Sequence, residues 1–318
     1  MAVLNASSRI ALIGTGIIGQ SWAISFARAG HGVRLFDHME GAVEAALPSI
    51  AQMLARLASR DLLREQTPES ILERITVAHG LSAALEGVDY IQESTPEKIA
   101  IKRGIFAELD AHAAPNAVIA SSTSALLPSQ FTEGLPGCHR CLVAHPLNPP
   151  HLIPAVEVVP SAQTAPACVK GTVRLLASIG QEPVIARKEV AGFIMNRLQG
   201  ALLDEAFALV RDGVASIEDI DTAMRDGLAR RWSFMGPFET IDLNAPGGVS
   251  AFLQRYQDAY DEIGKGRPDR PAWNGTLADE IIAACRSVRP LDTLDDRQAW
   301  RNEQLAALSA FKQHNGKA

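Results

Sequence analysis

The chain has 318 residues, of which 47% are hydrophobic and 21% charged, with Gly and Pro scattered without period. That balance excludes a disordered chain, whose apolar content could not offset the entropy of ordering, and it excludes collagen-like or low-complexity fibres. The formal charge of −6, from 30 basic and 36 acidic side chains, offers no electrostatic footprint for nucleic acid or an anionic lipid surface, so neither is expected as a partner.

Residues Met1 to Ile10 lead directly into a strand pattern, and no cleavable signal segment is expected. No apolar run approaches the ~18–20 residues that span a bilayer. Ile10–Ile13 reads as a buried strand, Ile17–Ala29 as a helix with Gly30 as its cap, and Val33–Phe36 as the next strand. A helical pattern follows from Gly41 to Arg60. Strands are expected near Ile75–Val77 and Val88–Ile91, with a short helix at Leu81–Leu85 between them. A helix opens at Pro96-Glu97 and runs to His112. Strands at Ala117–Ala120, Leu142–Ala144 and Ala155–Val159 follow, then a helix from Ala165 to Ile179 and a strand at Pro183–Ala186. Cys138 and Cys141 form a C-x-x-C. It runs into a strand, whereas a redox motif opens a helix, and no second C-x-x-C exists to complete a zinc site. Four cysteines (Cys138, Cys141, Cys168, Cys285) are too few for a disulfide framework and suit a reducing, cytoplasmic setting.

Beyond Lys188 the pattern is helical throughout. A long helix is expected from Asn196 to about Asp212, and Ser216 with Asp219 marks the start of another. Gly236-Pro237 and Pro246-Gly247-Gly248 punctuate the rest, and Lys265–Pro271 reads as a loop. Strands alternating with helices imply a mostly parallel sheet covered on both faces. The expected fold is therefore α/β, a Rossmann-type doubly wound sheet over residues 1–188, followed by an all-helical C-terminal domain over 189–318.

Two constellations carry chemistry. Gly14-Thr15-Gly16-Ile17-Ile18-Gly19 is G-x-G-x-x-G between a strand and a helix. Gly14 permits the tight turn, Gly16 the approach of a pyrophosphate, and Gly19 close packing of helix on strand. The first helical N–H groups, at Ile17 and Ile18, face the phosphates. Asp37 ends the next strand 23 residues after Gly14, where a carboxylate receives the ribose hydroxyls. His38 and Met39 follow it, with no Arg for a 2′-phosphate, so NAD is expected over NADP. The second constellation is His145-Pro146-Leu147-Asn148-Pro149-Pro150 with Glu157 on the next strand. If that strand returns beside the first, the carboxylate meets the imidazole, holds one tautomer and stabilises the imidazolium, as a general base requires. No metal-ligand spacing surrounds the pair, and no metal is expected.

The Gly14–Gly19 loop with Asp37, Ser121-Ser122-Thr123-Ser124, the His145-to-Glu157 stretch and Gly192-Phe193-Ile194-Met195-Asn196-Arg197-Leu198 together resemble the L-3-hydroxyacyl-CoA dehydrogenase superfamily, in order and spacing. The strings Ala144–Pro150, Ile153–Pro160, Gly236–Thr240 and Leu243–Ala245 resemble its lambda-crystallin / L-gulonate 3-dehydrogenase branch. The superfamily's usual H-F-F-N-P is H-P-L-N-P-P here. The resemblance runs from about Ile10 to about Leu308. It implies that His145 is the general base, Glu157 its partner, and Ser124 and Asn196 contacts to the substrate oxygen or the histidine. It implies cofactor contacts at Glu97, Lys102, Ser122 and Asn148. Ser122 stands where acyl-CoA members usually carry Asn, and Lys102 is equally readable as a solvated helix face. A dimer through the C-terminal domain is implied as well.

Three functions fit these residues. The first is NAD-dependent oxidation of the 3-hydroxyl of a small 3-hydroxy acid, L-gulonate being the type, to the 3-keto acid. The second is 3-hydroxyacyl-CoA dehydrogenation. The third is a non-catalytic NAD(H)-binding structural role, to which the full set of His145, Glu157, Ser124 and Asn196 is superfluous. A free carboxylate calls for a cation, and Arg231, in Gly227–Trp232, aligns with the single Arg of the branch pattern.

Overall fold

A computed structural model of the chain describes Leu4, residues 8–59 and 62–264, and isolated positions between 275 and 300. The expected loop at Lys265–Pro271, Cys285 and the far end of the family resemblance lie outside the described residues. The chain divides into two compact units, Met1–Leu203 and Asp204–Ala318.

The first unit runs β1 (Ile10–Ile13), α1 (Ile17–Arg28), β2 (Val33–Phe36), α2 (Ala42–Ala58), α3 (Pro68–Leu72), β3 (Ile75–Val77), α4 (Leu81–Leu85), β4 (Tyr90–Glu93), α5 (Ile99–His112), β5 (Val118–Ser121), α6 (Pro128–Thr132), β6 (Cys141–Pro146), β7 (Ala155–Pro160), α7 (Pro166–Ser178) and β8 (Glu182–Ile185). One sheet collects all eight strands in the order β3-β2-β1-β4-β5-β6-β7-β8. The pairs are parallel except β6 with β7. Strand order reverses between β1 and β4, which opens a crevice at their C-terminal ends.

Alternation along the strands explains the two cores. Ile10 and Leu12 of β1 face one layer with Trp22, Phe26 and Leu35, while Ala11 and Ile13 face the other with Ile91, Phe106 and Phe131. All four β1 residues are buried, as a sheet covered on both faces requires. Each large apolar side chain so enclosed contributes about 1.5–3 kcal/mol.

Helix α8 (Met195–Arg211) leads into the second unit, which continues with α9 (Ile217–Thr222), a π-helical turn, α10 (Ala229–Trp232), α11 (Pro237–Asp242) and α12 (Gly248–Gly264). No strand occurs there among the described residues. Ser216 caps α9, its Oγ accepting from Asp219 N at 3.1 Å.

Several boundaries differ from expectation, each for a local reason. The fourth strand is Tyr90–Glu93, not Val88–Ile91, because Asp89 turns outward to accept from Arg9 N at 3.0 Å while Gln92 and Glu93 are fully buried. Helix α5 starts at Ile99 because Glu97 instead accepts from the Ser124 and Ala125 N–H groups. Helices α3 and α6 have five residues each, too short for a periodic signal. Cys138, Cys141 and Cys168 are free thiols. Burial pushes Cys168 up to about 12 and raises Cys141 as well, so both stay protonated and inert.

The glycine loop yields a contrast in stability. A Cβ on Gly19 would lie 1.9 Å from the Gly14 carbonyl oxygen, backbone against backbone, whereas a Cβ on Gly16 meets nothing within 4 Å. Overpacking of this kind costs ~1–3 kcal/mol, or several degrees of melting temperature. Gly19→Ala is expected to lower Tm by that amount in a melt followed by circular dichroism, and Gly16→Ala to leave it within about one degree. Equal melts for the two variants would refute the packing account.

Candidate active site

The crevice between β1 and β4 holds two adjoining clefts. The first, of about 660 Å³, is lined by Gly14, Gly16, Asp37, Ser94, Thr95 and others. Gly14 sits at φ +96°, which a side chain would oppose, and its N donates to Phe36 O at 2.8 Å, tying the loop to β2. Asp37 is oriented by the loop itself. Its Oδ2 accepts from Thr15 N at 2.8 Å and Thr15 Oγ1 at 3.0 Å, and its Oδ1 from Met39 N at 3.0 Å. Helix α1 has no side-chain cap, so the N–H groups of Ile17 and Ile18 stay available to an anion. An open Gly16, an uncapped 12-residue helix and a fixed carboxylate fit the phosphates and ribose of a dinucleotide.

The second cleft, of about 380 Å³, brings together Glu97, Lys102, Ser122, Ser124, His145 and Asn148, the residues expected from sequence on this side. Ser94 and Thr95 line both clefts and form their shared wall.

His145 and Glu157 are direct partners across the antiparallel β6–β7 pair. His145 Nδ1 and Glu157 Oε2 are 2.7 Å apart, and Glu157 is wholly buried. Glu157 Oε1 accepts from Ile194 N at 2.6 Å and Met195 N at 2.9 Å, at the N-terminus of α8. Gly192 and Phe193 take positive φ values of 78° and 49°, which turns those two N–H groups onto the carboxylate. Burial by itself raises the Glu157 carboxyl. The His145 hydrogen bond, the Met195 and Ile194 N–H groups and the His145 charge outweigh it and hold the carboxyl below its ordinary range. An ionised Glu157 keeps the ring proton on Nδ1 and leaves Nε2 as the nitrogen for a ligand. Phe193, also fully buried, packs against the imidazole with ring centroids 5.7 Å apart.

Asn196 does not reach His145. Its Nδ2 donates to the Ser124 carbonyl oxygen at 2.7 Å, so it fixes Ser124 from behind. Glu97 grips the same segment through Thr123 Oγ1, Ser124 N and Ala125 N. Lys102 is no solvated helix face, being 1% exposed. Its Nζ donates to both Glu93 oxygens, at 2.8 and 2.9 Å, and to Thr95 O at 3.0 Å. Glu93 also accepts from Ser121 Oγ at 2.7 Å and from Thr95 N at 2.5 Å. Ser122 Oγ is engaged by Trp22, Gln92 and Ser94.

Sequence reasoning missed Glu93, Ser94, Thr95 and Phe193. The signal for the first three was positional: Glu93-Ser94-Thr95 closes the strand beside β1, where ligand-binding loops of such sheets gather. Arg231 belongs to the second unit, where its Nη1 donates to Asn244 Oδ1 at 3.2 Å. Among the described residues, no group of three His, Cys, Asp or Glu is placed to hold a metal.

Comparison with known proteins agrees with this geometry. Residues 9–190 match the model of the 3-hydroxyacyl-CoA dehydrogenase NAD binding domain, and residues 192–278 that of the 3-hydroxyacyl-CoA dehydrogenase C-terminal domain. Lambda-crystallin of Oryctolagus cuniculus is 40% identical over 311 residues, covering 96% of this chain and 97% of the relative. An L-carnitine dehydrogenase of a Pseudomonas species is 34% identical, covering 94% and 92%. Among solved structures, an NAD+-dependent dismutase, the 5-dehydrogenase of 5-formyl-3-hydroxy-2-methylpyridine 4-carboxylic acid, aligns with a TM-score of 0.74 at 26% identity, covering 98% of this chain and 100% of that one. The chain belongs to the 3-hydroxyacyl-CoA dehydrogenase family and is an NAD-dependent oxidoreductase.

Proposed function

We propose that the protein oxidises the 3-hydroxyl of a small 3-hydroxy acid, L-gulonate-like, to the 3-keto acid. The observation that carries this reading is the 2.7 Å pair of His145 with a buried, anchored Glu157 in a cleft that shares a wall with the dinucleotide crevice. Bound NAD supplies the hydride acceptor. His145 Nε2 takes the proton of the substrate hydroxyl, and Glu157 offsets the charge that the imidazole gains. Ser124 contacts the substrate oxygen, with Asn196 and Glu97 as its positioning residues. The branch resemblance carried by Ala144–Pro150 and Ile153–Pro160, with H-P-L-N-P-P in place of H-F-F-N-P, supports a free acid over a CoA thioester.

The acid end is assigned to Arg231 on charge matching. A desolvated carboxylate without a donor is costly, and a guanidinium offers two parallel N–H groups. Arg230 is adjacent on the same helical turn and points about 100° away, so one of the two meets the substrate. A homodimer and a cytoplasmic setting belong to the same proposal. They are supported by the exposed apolar residues of α8, Leu198 at 62% and Phe207 at 72%, and by the free thiols.

Three measurements test the reading. His145→Gln should lower kcat by ~10²–10⁴ while NADH affinity stays near wild type. An unchanged kcat removes His145 from the mechanism. Titration with both cofactors should show tighter binding of NADH than of NADPH, because Asp37 repels a 2′-phosphate. Equal affinity would refute that role for Asp37. Arg231→Met should lose ~2–4 kcal/mol of transition-state binding on a free 3-hydroxy acid, roughly 30- to 1000-fold in kcat/KM, and little on its neutral ester. If Arg230→Met carries the loss, the carboxylate site stands and its residue changes. If neither variant loses preference for the acid, the assignment fails.

A further inference from the structure

A short relay of hydrogen bonds runs from the core to the wall between the two clefts. Trp22 Nε1 donates to Ser122 Oγ at 3.2 Å, and Gln92 Nε2 donates to the same oxygen at 2.7 Å. The Gln92 amide has only one workable orientation. Its Nε2 also donates to Ala144 O at 3.2 Å, and its Oε1 accepts from the Tyr90 hydroxyl at 2.7 Å. A flipped amide would set its oxygen against the Ala144 carbonyl oxygen.

A serine hydroxyl has two lone pairs and one proton. Both lone pairs of Ser122 are taken, by donors that cannot reverse. Its proton therefore goes to its third neighbour, Ser94 Oγ, at 2.9 Å. Ser94 is thus an acceptor in this contact, and no partner among the described residues takes its own proton.

The position of Ser94 indicates where that proton goes. Ser94 N donates to Ile13 O at 2.7 Å, beside the start of the glycine loop. With Thr95 it lines both the cleft that Asp37 rims and the cleft that holds His145. A dinucleotide lying across both passes Ser94 between its two nucleosides. We infer that Ser94 Oγ donates a hydrogen bond to an oxygen in the middle of the bound dinucleotide, on the pyrophosphate or the nicotinamide ribose. Trp22 and Gln92 set the direction of that donation through Ser122, which is then a positioning residue and not itself a ligand contact. The inference rests on NAD occupying both clefts.

Binding calorimetry separates the terms. The Ser94→Ala variant is titrated with NADH, ADP-ribose, ADP and AMP, beside the wild type. Kd for NADH and ADP-ribose should rise about five- to tenfold, and Kd for AMP should stay within about twofold. A matching loss with ADP assigns the phosphate, and its absence the ribose. Wild-type NADH affinity in Ser94→Ala, an equal loss with AMP, or a loss confined to NADH and spared in ADP-ribose would each overturn the inference. Ser94→Cys, close in volume and a weaker donor, should give the same order if Ser94→Ala does not fold. Hydrogen exchange at the Trp22 indole reads the relay itself. Protection should survive Ser94→Ala and fall in Ser122→Ala, and the reverse pattern overturns the Trp22–Ser122 link on which the relay depends. Failure of the wild type to bind NADH would instead strike at the NAD reading.

Discussion

The structure turns on one carboxylate. Glu157 lies mid-strand between Val156 and Val158, with no exposed surface, where an unpaired charge costs several kcal/mol. Three charge-assisted hydrogen bonds of about 1.5–3 kcal/mol each offset that cost, and the N-terminus of a 17-residue helix adds to them. None of the three alone suffices, so the histidine, the strand and the entry to α8 are mutually dependent. The same carboxylate that fixes the imidazole tautomer also fixes where the chain leaves the sheet and turns helical. The reversal of β7 is what makes this geometry available. Direct register between His145 and Glu157, 12 residues apart, follows from an antiparallel return and is denied to a parallel crossover.

A second buried pair acts on the opposite side of the cleft. Lys102 and Glu93 are almost without exposure, and Thr95 is hydrogen-bonded to both through its N–H, hydroxyl and carbonyl groups. A buried ion pair is weak as a source of stability, since apolar residues of the same volume often serve as well. Its directional bonds are what an apolar pair lacks. Here they hold the segment that separates the two clefts, and they leave the Lys102 ammonium with all three N–H groups in use.

Sequence patterns carried much of this and failed at identifiable places. The glycine loop, Asp37, His145 and Glu157 were legible because each is tied to a motif whose spacing reflects backbone geometry. The sheet was legible because apolar runs alternated with helical periods. Gln92 and Glu93 were hidden because hydropathy treats a polar residue as a sign of solvent, whereas both are buried and bonded, Gln92 to Ser122 and Ala144 and Glu93 to Lys102 and Ser121. Phe193 reads as one more apolar residue. Its positive φ and its packing on His145 depend on tertiary contacts that no local pattern encodes. Asn196 was found by resemblance, yet its partner, the Ser124 carbonyl, is a backbone atom and leaves no trace in side-chain identity.

The charge inventory of the His145 cleft bears on what enters it. Its lining includes Glu97 and Lys102 besides the histidine. Glu97 is anionic and spends its oxygens on Thr123, Ser124 and Ala125. Lys102 is cationic, but its donors are committed to Glu93 and the Thr95 carbonyl, and freeing one would leave the buried Glu93 short of a partner. The Glu97 and Lys102 side chains therefore offer an anionic substrate no uncommitted cation, and in a chain of net charge −6 the overall field adds no attraction. This cleft thus sets the His145–Glu157 pair beside the dinucleotide crevice, through the wall of Ser94 and Thr95 that the two share. The histidine–carboxylate pair and the dinucleotide crevice were readable because motifs that the family shares carry them, whereas no motif of this kind names a substrate.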